Sequence, residues 1–141
     1  MPQRPTPFQP PATSPVSVVS ENDKLRLRKA VILSATQVRT AVTIQSMVVD
    51  LSLAKVETVR FWIDSSLDQP VALDFYGSVT FSATKVTTIM AAFPVLAQQI
   101  STYGVLPQDW FPFMSCLLTP LAMLPTTGDI TIEVYWQEEK K

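Results

Sequence analysis

Asp64, Asp68 and Asp74 fall within eleven residues, a spacing from which an acid–base carboxylate pair or an oxygen-lined calcium site can be imagined. Their contexts point elsewhere. Asp64 and Asp68 flank the turn-forming run SSLDQP, where an aspartate bonds its own backbone, and Asp74 occupies a polar position in the alternating run VALDFYG. The chain has no histidine, which removes the usual general base, the Ser-His-Asp and Cys-His pairs and the commonest transition-metal ligand together. A lone cysteine, Cys116, supports neither a Cys/His zinc site nor an internal disulfide, and it reads as a buried thiol. Gly77, Gly104 and Gly128 are too far apart for a phosphate-cradling loop. The expectation is a chain with no catalytic residues, no metal and no cofactor, not an enzyme, with no small-molecule substrate. Trp62, Tyr76, Trp110, Tyr135 and Trp136 are the aromatics that could stack on bases or sugars. They have no neighbouring basic groove, and a net charge of −1 lacks the positive field that displaces counterions from phosphates, so they read as core or interface residues and no nucleic acid is expected.

The elements that must carry these residues follow from hydrophobic periodicity. LRLRKAVIL, AVTIQSMVV, VETVRFWID, VALDFYG, SVTFSATKVTTI, WFPFMSCLL and DITIEVYWQ read as strands, several with strict period-two alternation, as half-buried strands require. In the last, Ile130, Ile132, Val134 and Trp136 share one face. One segment breaks the pattern. FPVLAQQISTYG has Pro94 at a first-turn position, Leu96, Ile100 and Tyr103 at i, i+4 and i+7, and Gly104 at a cap position, which predicts a short helix. The fold class is therefore mainly β, an antiparallel β-sandwich or jelly roll of seven to eight strands with one short helix.

Before these strands lies MPQRPTPFQPPATSP, with six of the chain's twelve prolines. Proline fixes φ and removes a donor, so residues 1–20 are expected to form an extended arm and residues 21–141 the sandwich domain. The N-terminus lacks the basic-then-apolar pattern of a secretory signal. DWFPFMSCLLTPLAMLP is broken by Pro112, Pro120 and Pro125 and is too short to be a membrane span. Charge is unevenly placed: residues 1–40 sum to +4 and the remainder to −5, so the two parts can attract each other within a chain or between neighbours.

Charged residues make up only 16% of the chain, and the 43 residues between Lys85 and Asp129 contain one charge, Asp109. A domain of this size has limited interior, so part of that stretch is expected to face a neighbour. The candidate interface comprises Arg4, Pro5, Pro7, Phe8, Pro10 and Pro11 in the arm, with Phe8 as anchor. Val16 and Val18 follow it, and Trp110, Phe111, Phe113, Leu121 and Met123 make up an apolar flank.

FWIDSSLDQPVALDFYGS (61–78) and PTTGDITIEVYW (125–136) together resemble the strand–turn–strand segment and the closing strand of small β-sandwich virion proteins of tailed phages and related viruses. The resemblance implies a decoration, cement or minor head–tail protein, located in the virion and not enzymatic. It implies partners that are copies of the chain or other virion structural proteins. The uncharged segment between the two phrases departs from the family's commoner form. Two other readings stand beside it: a filament or cell-surface subunit exchanging a strand or arm, and a sandwich that binds a glycan or peptide.

Overall fold

A computed structural model describes residues 13–22, 24–81 and 86–140. Among these, ten strands form two antiparallel sheets: β1 (Val16–Glu21), β2 (Leu25–Thr36), β3 (Ile44–Gln45), β4 (Val49–Asp50), β5 (Arg60–Ser65), β6 (Val71–Ser78), β7 (Thr87–Val95), β8 (Ile100–Gly104), β9 (Phe113–Pro120) and β10 (Ile130–Glu139). The first sheet has the order β1-β2-β10-β5-β8. The second runs β3-β9-β6-β7, with β4 also pairing β9. If β3 and β4 are taken as one interrupted strand, four strands of each sheet reproduce the jelly-roll order, and β1 is an addition outside β2. The expected sandwich is thus present.

Alternation decides what is buried. Phe61 and Ile63 of β5, Leu73 and Phe75 of β6, and Ile130, Ile132, Val134 and Trp136 of β10 all point into the core, each no more than 1% exposed. Arg60, Trp62 and Asp64 take the opposite face of β5. Phe75 links the layers. Its ring lies 4.8 Å from Phe61 and 4.5 Å from Tyr103 on the first sheet, and 5.5 Å from Phe93 beside it on β7. Edge-to-face contacts of this kind add to area burial, and deleting such a ring from a core costs about 3–5 kcal/mol.

The charge asymmetry is resolved within the chain. Basic β2 lies against acidic β10, with Arg28 Nε 2.6 Å from Glu138 Oε2 and Lys29 Nζ 3.5 Å from Glu133 Oε2. Tyr135 on the same face donates to Glu133 at 2.6 Å, and that bond pushes its pKa up to about 12.

Three expectations are corrected. FPVLAQQISTYG is not a helix. Phe93–Val95 ends β7, Leu96–Gln99 turns from the second sheet to the first, and Ile100–Gly104 is β8. Long-range backbone bonds hold it so: Gln98 N–H donates to Leu67 O, and Ser65 N–H donates to Gln99 O. AVTIQSMVV is not one strand but two two-residue pieces, with Val42 exposed. SVTFSATKVTTI is not a single strand either. Strand β6 ends at Ser78 and β7 begins at Thr87, while residues 82–85 lie outside the described segments.

Candidate assembly surfaces

The loops joining β5 to β6, β7 to β8 and β9 to β10 meet at one end of the sandwich. Ser66 N–H donates to Asp129 O, Asp68 N–H to Thr127 O, and Gln98 N–H to Leu67 O, at 2.8, 3.3 and 3.0 Å. Asp68 is the fastener. One carboxylate oxygen accepts the Thr126 and Thr127 N–H groups at 2.8 and 3.2 Å, and the other accepts the Thr126 hydroxyl at 2.6 Å. The hydroxyl bond, followed by the backbone bonds, holds its pKa below the ordinary 3.8. Gly128 makes the closure possible: its φ is +86°, and a Cβ there would overlap the Ser66 carbonyl. Arg39 completes the tie by donating to Gly128 O at 2.8 Å.

On this braced end stand exposed apolar side chains. Leu121 and Met123, both anticipated from sequence, are 46% and 68% exposed, and Leu96 and Leu124, which were not, are exposed with them. Leu96 was assigned to a helix face, so its position was misread, while Leu124 sits in a turn-rich run where no periodicity marks a surface.

The other flank residues do not join them. Trp110 and Phe111 pack against the core beyond the opposite end of β9, and Phe111 covers Gly77 so closely that a Cβ on Gly77 would strike its ring. Phe113 begins β9 and stacks edge-on with Phe81 at 5.8 Å. Eight residues of strand, roughly 26 Å, separate Phe113 from the end that carries Leu121 and Met123. The expected flank is therefore divided between two places, at one of which Trp110 and Phe111 are partly buried against the core. The uncharged stretch divides in the same way, since Val95, Val105, Met114, Cys116 and Leu118 are buried. Val16 and Val18 are elsewhere again, on the lateral edge formed by β1. Arg4, Pro5, Pro7, Phe8, Pro10 and Pro11 lie outside the described residues.

The residues weighed for chemistry have structural partners. Asp74 accepts the Ala92 N–H at 2.7 Å and the Tyr76 hydroxyl at 3.3 Å, which fixes a bulge in β7 where Ala92 has φ +55°. Asp64 is exposed on β5, opposite Thr131 and Ile100. Among the described residues no three Cys, Asp or Glu side chains gather as a metal site would require. Cys116 is buried, which pushes its thiol pKa well up. The aromatics are dispersed. Trp62 and Tyr135 lie on the outer face of the first sheet, Tyr76 on that of the second, and Trp136 in the core, so they make no common stacking strip. The indole N–H groups of Trp110 and Trp136 are buried and have no hydrogen-bond partner among the described residues. Grooves are shallow. One of about 450 Å³ lies open beside β2, lined by Arg26, Arg28, Leu53 and Glu138 among others. No helix among the described residues is long and apolar enough to cross a membrane.

No family model matches the chain, and no curated protein matches it. Solved structures give low-scoring likenesses. A protein of the Bacillus endospore appendages, described as a novel family of disulfide-linked pili, is 14% identical over 85% of this chain and 95% of its own, with a TM-score of 0.47. A protein of infectious bursal disease virus, Gt strain, is 7% identical over 78% of this chain and 32% of its own, with a TM-score of 0.39, so this chain spans about a third of it. A cupin domain from Bordetella pertussis Tohama I is 10% identical over 95% of this chain and 99% of its own, with a TM-score of 0.29. None of these scores assigns a function, and the jelly roll stands on its own strand pairing.

Proposed function

We propose that this chain is a non-catalytic structural subunit that attaches to neighbouring subunits through its proline-rich N-terminal segment and its braced apolar loop end. The observation that carries the reading is that end of the sandwich: Leu96, Leu121, Met123 and Leu124 are exposed on loops cross-tied by Asp68, Ser66, Asp129 and Arg39. Holding apolar side chains rigidly toward solvent costs stability that burial in a partner returns, and rigid presentation reduces the ordering cost of docking. Prolines in residues 1–12 lower the entropy lost when an extended segment docks, with Phe8 as its anchor.

The finer reading is a virion protein of the decoration, cement or minor head–tail type, made in the host cytoplasm and carried in the particle. It is supported by the resemblance of residues 61–78 and 125–136, which fall on β5–β6 and on the loop and strand β10 that build the braced end. Strand donation to a neighbour's sheet, the filament reading, has less support, because SPVSVVS, its alternating candidate, supplies β1 of its own sheet. Glycan or peptide binding lacks a continuous aromatic strip. The test is rebinding. Purified wild-type chain added to particles that lack it should co-sediment, whereas Phe8→Ala and the double substitution Leu121→Ser, Met123→Ser should each leave most of it in the supernatant. Rebinding by both variants at wild-type levels would remove the reading.

A further inference from the structure

Strand β1 is additional to the jelly roll, and it contributes no buried residue to the core. All six of its residues are exposed, including Val16, Val18 and Val19 at 38%, 47% and 49%. One side of its backbone pairs with β2. Among the described residues no strand pairs the other side, so alternate N–H and C=O groups face outward as a template for a further strand.

The remaining edges are blunted. β3 and β4 are two residues each. β7 contains Pro94, a left-handed Ala92 and two register shifts. β8 has five residues and ends in Gly104. β1 carries neither proline nor lysine. Its one charge, Glu21, sits at the strand's end and is engaged by Arg26 at 3.0 Å and Lys140 at 3.9 Å. Its register shifts once, between Val18 and Ser20, against twice in β7, so its edge is interrupted less.

We infer that β1 is a dimerisation edge whose occupant is β1 of a second copy, paired antiparallel about a two-fold axis so that the five-stranded sheets of two protomers become one. The symmetry follows from the topology. Four antiparallel steps separate β1 from β8, so the two run in the same direction, and β1 of one copy added to β8 of the next by translation would form a parallel pair, weaker per residue and open-ended. Pairing β1 with itself is antiparallel, closes after two copies, and sets valine against valine across a hydrogen-bonded edge. The inference rests on the proposed structural role but uses a different surface, so each can fail alone.

Light-scattering mass across a concentration series of the full chain tests it. Twice the 15.7 kDa protomer mass is expected, returning to the protomer mass in Val18→Glu while the thermal unfolding curve is kept, because residue 18 is exposed and its register partner within the protomer is Arg28, whereas two β1 strands paired about their middle would set two carboxylates together. Should that variant fail to fold, hydrogen exchange of the wild type decides: β1 amides should gain protection as concentration rises. Leu121→Ser with Met123→Ser should leave the dimer intact. A protomer mass at every concentration, a dimer indifferent to Val18→Glu, a dimer lost only on the loop-end substitution, β1 amides with concentration-independent exchange, or an open series of higher masses would each overturn the inference.

Discussion

Asp68 illustrates how one side chain sets the form of a surface. Its bonds to Thr126 and Thr127 favour the carboxylate over the acid, so folding lowers its pKa from the ordinary 3.8. The stability it gives is therefore present above that unfolded value and is lost as pH falls through the lower folded value. Acid titration of the melting temperature should show a steeper fall below pH 3.8 for the wild type than for Asp68→Asn, which cannot titrate; parallel curves would remove Asp68 as the fastener. A turn aspartate was legible in SSLDQP from local chemistry alone. Its partner was not, because Thr126 lies 58 residues away and only the closed sandwich brings the two together. The same holds for Gly77, whose lack of a side chain makes sense only beneath the ring of Phe111.

Among the elements, legibility depended on whether burial or pairing sets the conformation. β5, β6 and β10 are half-buried strands, and their alternation names the inward residues without error at Phe61, Ile63, Leu73, Phe75, Ile132 and Val134. The segment 93–104 carries a helical spacing by coincidence. Pro94 and Gly104 read as helix caps, yet what fixes the chain is its bonding to residues 65 and 67, which no local period records. Gln98 makes this testable. At φ +54° it occupies a conformation that glycine adopts without penalty, whereas in the middle of a helix glycine costs about 1 kcal/mol relative to alanine. Gln98→Gly should leave the melting temperature unchanged or raise it; a fall of the helical size would favour a helix in solution. The broken strand at 41–49 escaped detection for a related reason, since β3 and β4 take their bounds from the register of β9.

For the molecule as a whole, the low charge content has two destinations. Much of the uncharged stretch fills a core that joins Phe93, Tyr103 and Trp110 to the buried residues of both sheets, which a sequence cannot separate from surface without the sheet order. Of its exposed apolar residues, Leu96, Leu121, Met123 and Leu124 stand at the loop end, and Val16, Val18 and Val19 of β1, outside that stretch, form a second exposed apolar surface. These two surfaces face different directions, so one chain can pair with its copy through the edge and bind a neighbour through the loops. The jelly roll alone does not choose among capsid proteins, lectins and cupins, and the choice rests on what the surfaces contact. The most direct measurement is mass spectrometry of particles sedimented from a culture that produces the chain. The chain is expected in the particle fraction at a fixed ratio to a major particle protein, together with loss of hydrogen exchange at residues 121–129 relative to the free protein. A chain confined to the soluble fraction, or residues 121–129 exchanging equally in both states, would contradict the proposed role.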